Sequence, residues 1–214
     1  MEIMSTIRAV LFDMDGVLID ARDWHFQALN EALSPFGFDI SYEEHLVRFN
    51  GLSTASKLNI LSEERNFPRA LHSLVNDVKQ DRTLRLAGQF CFPIVQHQIL
   101  ISRLKSRKIA IGVVTNSIRK SAQALLTYAQ LIDLIDVLVT NQDVSRQKPD
   151  PECYLLACKK LNFKPEEVLV IEDGEYGFEA ATKAGCKVLR VESPTDVTLE
   201  LISKEIPNLM EISS

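Results

Sequence analysis

The strongest constraint on the fold is a set of short, β-branched apolar runs that recur along the 214-residue chain. Each run has the length of a strand, and helix-length segments separate the later ones. This alternation is typical of a parallel sheet covered by helices, because parallel neighbours need long crossover connections. The predicted strands are residues 7–12, 110–114, 137–139, 168–171 and 188–191.

The intervals between the later strands carry helical patterns. Helices are predicted there at residues 94–108, 119–130, 151–162 and 176–184. Gly185, directly after the last of them, is a typical helix stop signal. Strands and helices in this order predict an α/β protein with a doubly wound parallel sheet.

Residues 20–88 break the alternation, because they contain helical patterns but no convincing strand. Helices are predicted at residues 24–33, 42–48, 53–65 and 68–84. We therefore expect a core formed by residues 1–19 and 89–214, with a small all-helical domain, residues 20–88, inserted after the first strand.

Composition and charge exclude several classes of partner. The formal net charge of −5 offers no broad basic surface, so we expect no nucleic-acid polymer as partner. No stretch approaches the roughly 20 apolar residues of a membrane helix, and the N-terminal apolar run ends in acids instead of a signal cleavage site. A cytoplasmic protein without membrane contact, a monomer or weak dimer, is expected.

Two pairs of acidic residues follow predicted strands. Asp13 and Asp15 come after the first strand, and Glu172 and Asp173 close the fourth. Ligands of open α/β sheets bind at the carboxyl ends of strands, where these acids would meet. Four clustered carboxylates repel one another, and a hard divalent cation such as Mg²⁺ would stabilise them. We therefore predict Asp13, Asp15, Glu172 and Asp173 as metal-site residues.

Two further segments carry groups suited to binding phosphate. Thr115 and Asn116 end the second strand, where a hydroxyl and backbone N–H groups can hold phosphate oxygens ahead of a helix. Lys148 lies in a proline-stiffened loop that could direct its ammonium towards the carboxylates. Taken singly, Thr115 also fits a helix cap and Lys148 a solvated surface charge.

In this order, the segments resemble the four motifs of the haloacid dehalogenase-like superfamily: Asp-x-Asp-Gly-Val, a strand ending in Thr or Ser, Lys-Pro, and a final acidic pair. The resemblance spans nearly the whole chain and implies a Rossmann-like core. It implies that Asp13 is a nucleophile forming an aspartyl-phosphate and that Asp15 is a general acid and base. It also implies that Thr115 and Lys148 contact phosphate, and that Asp13 and Asp173 hold Mg²⁺ with support from Glu172.

Residues 20–88 resemble the helical cap of the β-phosphoglucomutase-like and phosphoglycolate phosphatase-like enzymes. This likeness implies substrate contacts by His25, Ser53 and Lys79. His25 equally fits a packed imidazole, and Lys79 lies in a charged run that is typical of a solvated helical face. At the position of Thr54 the sugar-phosphate mutases carry an arginine that binds a second phosphate, and threonine cannot supply the charged, bidentate contact of a guanidinium.

The resulting hypothesis is a Mg²⁺-dependent phosphatase acting on a small phosphorylated metabolite such as a sugar phosphate, phosphoglycolate or a nucleotide. Two alternatives stay open. One is a phosphomutase that returns the phosphoryl group to its substrate, and the other is a catalytically idle module that binds a phosphorylated metabolite. The remaining histidines, His45, His72 and His97, are interpreted as structural.

Overall fold

The computed structural model describes residues 6–207 and 209–211, and a five-stranded parallel sheet forms its centre. Residues 1–5, 208 and 212–214, which the predicted core includes, lie outside the described residues. The strands are β1 (Ala9–Phe12), β2 (Ala110–Val114), β3 (Val137–Val139), β4 (Val168–Glu172) and β5 (Lys187–Arg190). Their spatial order is β3-β2-β1-β4-β5, which confirms the predicted doubly wound sheet.

The central strand β1 is buried on both faces. Val10 and Phe12 pack in one apolar cluster, whereas Ala9 and Leu11 pack in a second one. This division follows from the strand period of two, which points successive side chains to opposite faces of the sheet. A continuous apolar run such as that of β1 is therefore what a strand covered on both sides requires.

Helices cover both faces of the sheet. One cluster includes side chains of α5 (Val95–Ser106) and α6 (Arg119–Tyr128). The other includes side chains of α7 (Glu152–Leu161) and α8 (Glu175–Ala184). The short helix α9 (Leu199–Ser203) adds Ile202 to the first cluster. Further 3-10 turns lie at Ser34–Phe36, Arg69–Leu71, Ile132–Leu134, Pro165–Glu167 and Pro194–Asp196.

Residues 20–88 contain helices and no strand, and they have an apolar cluster of their own. Four α-helices begin there: α1 (Arg22–Leu33), α2 (Tyr42–Glu44), α3 (Thr54–Arg65) and α4 (His72–Phe90). Their cluster includes Leu33, Leu58 and Val75. Helix α4 reaches both parts of the molecule, because Val75 belongs to this cluster and Ala87 to a cluster of the sheet.

Two helices in this segment differ from the prediction. The helix predicted at residues 42–48 is only three residues of α-helix, followed by a π-helical stretch, His45–Phe49. The side chain of Ser41 caps its start, and the wider turn buries both His45 and Phe49. The helix predicted at residues 68–84 begins after a 3-10 turn and continues to Phe90. Among the described residues, none of the helices combines the length and apolar composition of a bilayer span.

Candidate active site

The acidic residues that follow β1 and β4 converge. These strands are parallel neighbours, and Phe12 of β1 pairs in register with Ile171 of β4. The chain order reverses between β1 and β4, which is the switch point where crevices form in such sheets. Ligand atoms of Asp13, Glu172 and Asp173 all lie within 4.8 Å of one another. Three of the four predicted metal-site residues therefore form one group.

Lys148 is buried among these acids. Its Nζ atom donates hydrogen bonds to Oδ1 of Asp13 at 2.5 Å, to Oε1 of Glu172 at 2.7 Å and to the carbonyl of Val114 at 2.9 Å. Burial by itself lowers the pKa of Lys148, but the two carboxylates outweigh burial and hold this pKa well above its ordinary value. The ammonium is therefore a fixed positive charge, and the surface alternative for Lys148 is wrong.

Glu172 is saturated by protein donors. Oε1 accepts hydrogen bonds from Lys148 and, at 2.6 Å, from the hydroxyl of Tyr154. Oε2 accepts from the backbone N–H groups of Asp173 at 3.2 Å and Gly174 at 3.4 Å. Each carboxylate oxygen offers about two lone pairs, so little capacity is left for a metal ion. The geometry favours Glu172 as the residue that positions Lys148.

Asp13 and Asp173 keep free acceptor capacity. Burial raises the pKa of Asp13 well above its ordinary value although the charge of Lys148 opposes this, and the carboxylates of Glu172 and Asp173 add to the effect of burial. Burial, followed by the charge of Glu172, likewise raises the pKa of Asp173 to about 6. A hard divalent cation would offset this repulsion, and carboxylate oxygens are the ligands that Mg²⁺ prefers. The two side chains therefore fit a magnesium ion.

Two neighbours shape the space around Asp173. The guanidinium of Arg22 donates a hydrogen bond to its Oδ2 at 3.4 Å. Gly16 has a φ of +94°, and a Cβ atom there would overlap the carboxylate of Asp173. Glycine is therefore required at position 16 both for its backbone conformation and for the space that it leaves.

The carboxylate of Asp15 is held by other partners. Its Oδ1 lies 3.0 Å from Nε2 of His25, and its Oδ2 accepts a hydrogen bond from the hydroxyl of Ser117 at 2.9 Å. Burial opposes ionisation of this group, but His25 and Ser117 outweigh burial and lower the pKa of Asp15. Among the described residues, the acidic group that fits a metal contains Asp13, Glu172 and Asp173 but not Asp15.

His25 connects Asp15 to Lys79. The Nζ atom of Lys79 lies 3.0 Å from Nδ1 of His25. An ammonium only donates hydrogen bonds, so Nδ1 accepts, and Nε2 carries the proton that points at Asp15. Burial, then the charge of Lys79, lowers the pKa of His25, which favours this neutral imidazole. Lys79 is itself buried, so its interpretation as part of a solvated face is wrong.

The remaining predicted residues line the same cavity, which has a volume of about 340 Å³. Thr115 is buried, and its Oγ1 accepts a hydrogen bond from the N–H of Ser117 at 3.0 Å. Asn116 donates to the carbonyl of Gly51 at 2.9 Å and so ties the end of β2 to the helical segment. Ser53 caps α3 by accepting from the N–H of Ser56.

Comparison with known proteins identifies the family. The family model described as haloacid dehalogenase-like hydrolase matches residues 10–191. The chain belongs to this family. A phosphorylated carbohydrates phosphatase of Thermotoga maritima is 31% identical to this haloacid dehalogenase-like hydrolase over 84% of the chain and 82% of its own length.

Two β-phosphoglucomutases are also similar to this haloacid dehalogenase-like hydrolase. The enzyme of Bacillus subtilis is 27% identical over 93% of this chain and 95% of its own length. The solved structure of the Clostridium difficile enzyme superposes with a TM-score of 0.82 and 24% identity, covering 94% of this chain and 97% of that one. This structural likeness shows the shared fold.

Some side chains at the site of this family member carry no signal in the sequence. Tyr154 lies in a helical pattern with nothing to mark its contact with Glu172. Arg22, the first residue of α1, contacts Asp173. Ser117, in the loop after β2, contacts Asp15. His45, interpreted as structural, and Lys57, which was not singled out, both line the cavity.

Proposed function

We propose that this protein is a Mg²⁺-dependent phosphatase that hydrolyses a small phosphate monoester through an aspartyl-phosphate on Asp13. The observation that carries the proposal is the contact between Lys148 and Asp13, both of which line a cavity together with Thr115. A buried nucleophile beside a fixed cation is the arrangement that phosphoryl transfer needs, because its catalysis rests on positioning and charge stabilisation.

The role proposed for the metal is to neutralise negative charge. Asp13 and Asp173 would hold Mg²⁺, with Glu172 beside them, and the bound ion would supply positive charge for the phosphoryl oxygens. Asp15 was also predicted as a metal-site residue, and we now propose its carboxylate as an acid and base only, because His25 and Ser117 hold it.

In the first step, a carboxylate oxygen of Asp13 attacks phosphorus while the bond from phosphorus to the leaving oxygen breaks. Asp15 donates a proton to that leaving oxygen from its protonated form, which the second step regenerates. Lys148 stabilises the negative charge near Asp13, and Glu172 with Tyr154 keeps the ammonium in place. The products of this step are the free alcohol and the aspartyl-phosphate.

In the second step, Asp15 removes a proton from a water molecule that attacks the aspartyl-phosphate, and inorganic phosphate leaves Asp13. The lowered pKa of Asp15 favours the ionised carboxylate, which is the form that accepts this proton. We assign phosphate contacts to Thr115 and Asn116 from their place at the end of β2.

We further propose that residues 20–88 act as a cap that selects the leaving group. His25, Ser53 and Lys79 come from this segment and line the cavity together with residues of the core. A closed cavity excludes water from the first step, which favours transfer to Asp13. The volume of about 340 Å³ suits a small metabolite, and the Thermotoga maritima relative, named a phosphatase of phosphorylated carbohydrates, points to sugar phosphates.

The test is turnover of p-nitrophenyl phosphate with and without Mg²⁺. We expect hydrolysis that requires the metal, and Asp13→Asn should abolish it because an amide is a far weaker nucleophile. Asp133→Asn, an exposed aspartate in a 3-10 turn, serves as the matched control and should retain full activity. Full activity of the Asp13→Asn variant would show that the covalent mechanism is wrong.

A phosphomutase is the second candidate, favoured by the similarity to the Bacillus subtilis β-phosphoglucomutase. Transfer of the phosphoryl group back to substrate needs a phosphorylated enzyme, which a sugar bisphosphate can supply. Activation by a bisphosphate, with an isomerised sugar phosphate as product, would support the mutase. Net release of inorganic phosphate without such activation would support the phosphatase, and any turnover excludes the idle module.

A further inference from the structure

The cavity wall contributed by α3 contains a cationic side chain with no counterion. Lys57 is only 6% exposed and lines the cavity. Within residues 6–207 and 209–211, its ammonium has no hydrogen bond and no ion pair. A buried charge is costly unless it is paired, so proteins rarely keep one without a partner. An anion bound in the cavity would supply the partner that Lys57 lacks.

A second polar group without a partner lines the same cavity, within reach of the charge of Lys57. His45 is 1% exposed, and both of its ring nitrogens are buried without a hydrogen bond. The rings of Phe26 and Tyr42 pack against it, with centroids at 5.2 Å and 6.4 Å. Burial, then the charge of Lys57, lowers the pKa of His45 to about 4, so the ring is neutral and offers one N–H donor.

Nearby charges leave this wall positive. Lys79 lines the cavity, and its charge adds to the effect of burial in lowering the pKa of Lys57 to about 7. Arg22 lines the cavity too, and its Nε atom is buried without a hydrogen bond. The acidic group that acts on Lys57 is Asp15, which is already bonded to His25 and Ser117.

We propose that Lys57 and His45 form a second anion site, so that the substrate carries a carboxylate or a second phosphate on its leaving group. This inference rests on the proposed function and narrows its substrate class. The oxyanion would accept charge-assisted hydrogen bonds from Lys57 and a neutral one from His45. The transferring phosphoryl group would lie at Asp13, and the cavity would hold both ends of one small molecule.

The test uses non-hydrolysable phosphonates, so that binding is measured without turnover. Phosphonoacetate carries a carboxylate as its second anion, ethylenebisphosphonate carries a second phosphonate, and hydroxyethylphosphonate carries neither. Calorimetric titration of the Mg²⁺-loaded protein gives the three dissociation constants. We expect one or both doubly anionic probes to bind roughly 10- to 100-fold more tightly than hydroxyethylphosphonate, and the tighter of the two identifies the anion.

Substitutions at Lys57 and His45 test whether these residues cause the preference for doubly anionic probes. Lys57→Met should remove roughly tenfold or more of this preference while hydroxyethylphosphonate binding stays within about threefold. Lys57→Arg should retain the preference, and His45→Phe should reduce it while keeping the ring contacts. Circular dichroism checks that each variant is folded. No preference in the unaltered protein, or equal weakening of all three probes by Lys57→Met, overturns the proposal.

The same probes separate this inference from the proposed function. Hydrolysis of p-nitrophenyl phosphate without any preference among the phosphonates rejects the second anion site and leaves the phosphatase intact. A preference that depends on Lys57 in a protein that hydrolyses no phosphate ester supports the site and rejects the phosphatase.

Discussion

Gly177 leaves the space that the carboxylate of Glu172 occupies. A Cβ atom at position 177 would overlap both carboxylate oxygens of Glu172, although the glycine lies inside helix α8. Glu172 in turn binds the ammonium of Lys148 and the hydroxyl of Tyr154. The absence of a side chain on one helix is therefore linked to the placement of the charge beside Asp13.

Gly177→Ala should lower activity even though alanine is the better helix former. Helix propensity favours alanine by about 1 kcal/mol, whereas forcing a side chain into filled space costs about 1 to 3 kcal/mol. We expect the overlap to prevail, with Glu172 displaced and kcat for p-nitrophenyl phosphate reduced roughly tenfold or more. Steady-state kinetics and urea unfolding measure the two effects.

Gly88→Ala is the matched control for this substitution. Gly88 also lies within a helix, α4, and a Cβ atom there would meet only ordinary contacts with Tyr128. This variant should be more stable by about 0.5 to 1 kcal/mol and fully active. Unchanged kcat in Gly177→Ala would contradict the assigned role of Glu172.

Magnesium should stabilise the protein through Asp173. A ligand at a hundred times its dissociation constant contributes about 2.7 kcal/mol, or about 5 to 10 °C in the melting temperature of a chain of this size. Asp173→Asn should lose most of this shift, because it removes one of the two carboxylates with free acceptor capacity. Thermal melts with EDTA and with Mg²⁺ test this, with Asp133→Asn as control. If Mg²⁺ raised the melting temperature of Asp173→Asn as much as that of the unaltered protein, Asp173 would not be a metal ligand.

Asp15→Asn should slow turnover without loss of the metal. Loss of a general acid and base typically lowers rates by roughly 10²- to 10⁴-fold. The decrease should be larger for glycerol phosphate than for p-nitrophenyl phosphate, because an alcohol needs a proton to leave. The Mg²⁺ shift in melting temperature should persist, since His25 and Ser117 hold this carboxylate. Loss of this Mg²⁺ shift in Asp15→Asn would show that Asp15 takes part in metal binding.

Lys57→Met should make the protein more stable near neutral pH. Burial, with the charge of Lys79, lowers the pKa of Lys57 to about 7. Removal of an unpaired buried charge should therefore increase the free energy of unfolding by on the order of 2 kcal/mol. Lys120→Met, at an exposed lysine of α6, should change it by less than about 0.5 kcal/mol.

The pH dependence of this effect has a defined sign. The folded-state pKa of Lys57 lies below its value in the unfolded chain, so the unfolded chain binds more protons between about pH 7 and about pH 10. Stability of the unaltered protein therefore rises with pH in this window relative to the variant. The advantage of Lys57→Met should be full at about pH 7 and below and shrink towards about pH 10. An advantage independent of pH would argue against a buried charge.

The core of the site follows directly from the sequence. Asp13 and Glu172 each follow or end an apolar run, and the register of parallel strands brings the carboxyl ends of such runs together. The doubly wound sheet and the convergence of these acids were predictable because neither depends on how side chains pack.

The different partners of the four acidic side chains were not predictable from the sequence. Glu172 and Asp173 are adjacent, yet Glu172 is saturated by Tyr154 and Lys148 while Asp173 keeps free acceptor capacity. Asp15 lies two residues from Asp13, but the chain turns after β1, and its carboxylate meets His25. Beyond a strand end the alternation of side chains ceases, so the following turn sets each direction.

The cavity wall that contains His45, Lys57 and Lys79 depended on tertiary structure throughout. The spacing around Lys57 and Lys79 is that of ordinary polar helices, and His45 lies in a turn that widens into a π-helix. These side chains are buried because α3, α4 and the π-helical stretch share one apolar cluster and line the cavity together with residues that follow β1, β2 and β4. Periodicity along one element records which residues share a face. It cannot record which distant element that face will meet, and that meeting determines charge, burial and partners.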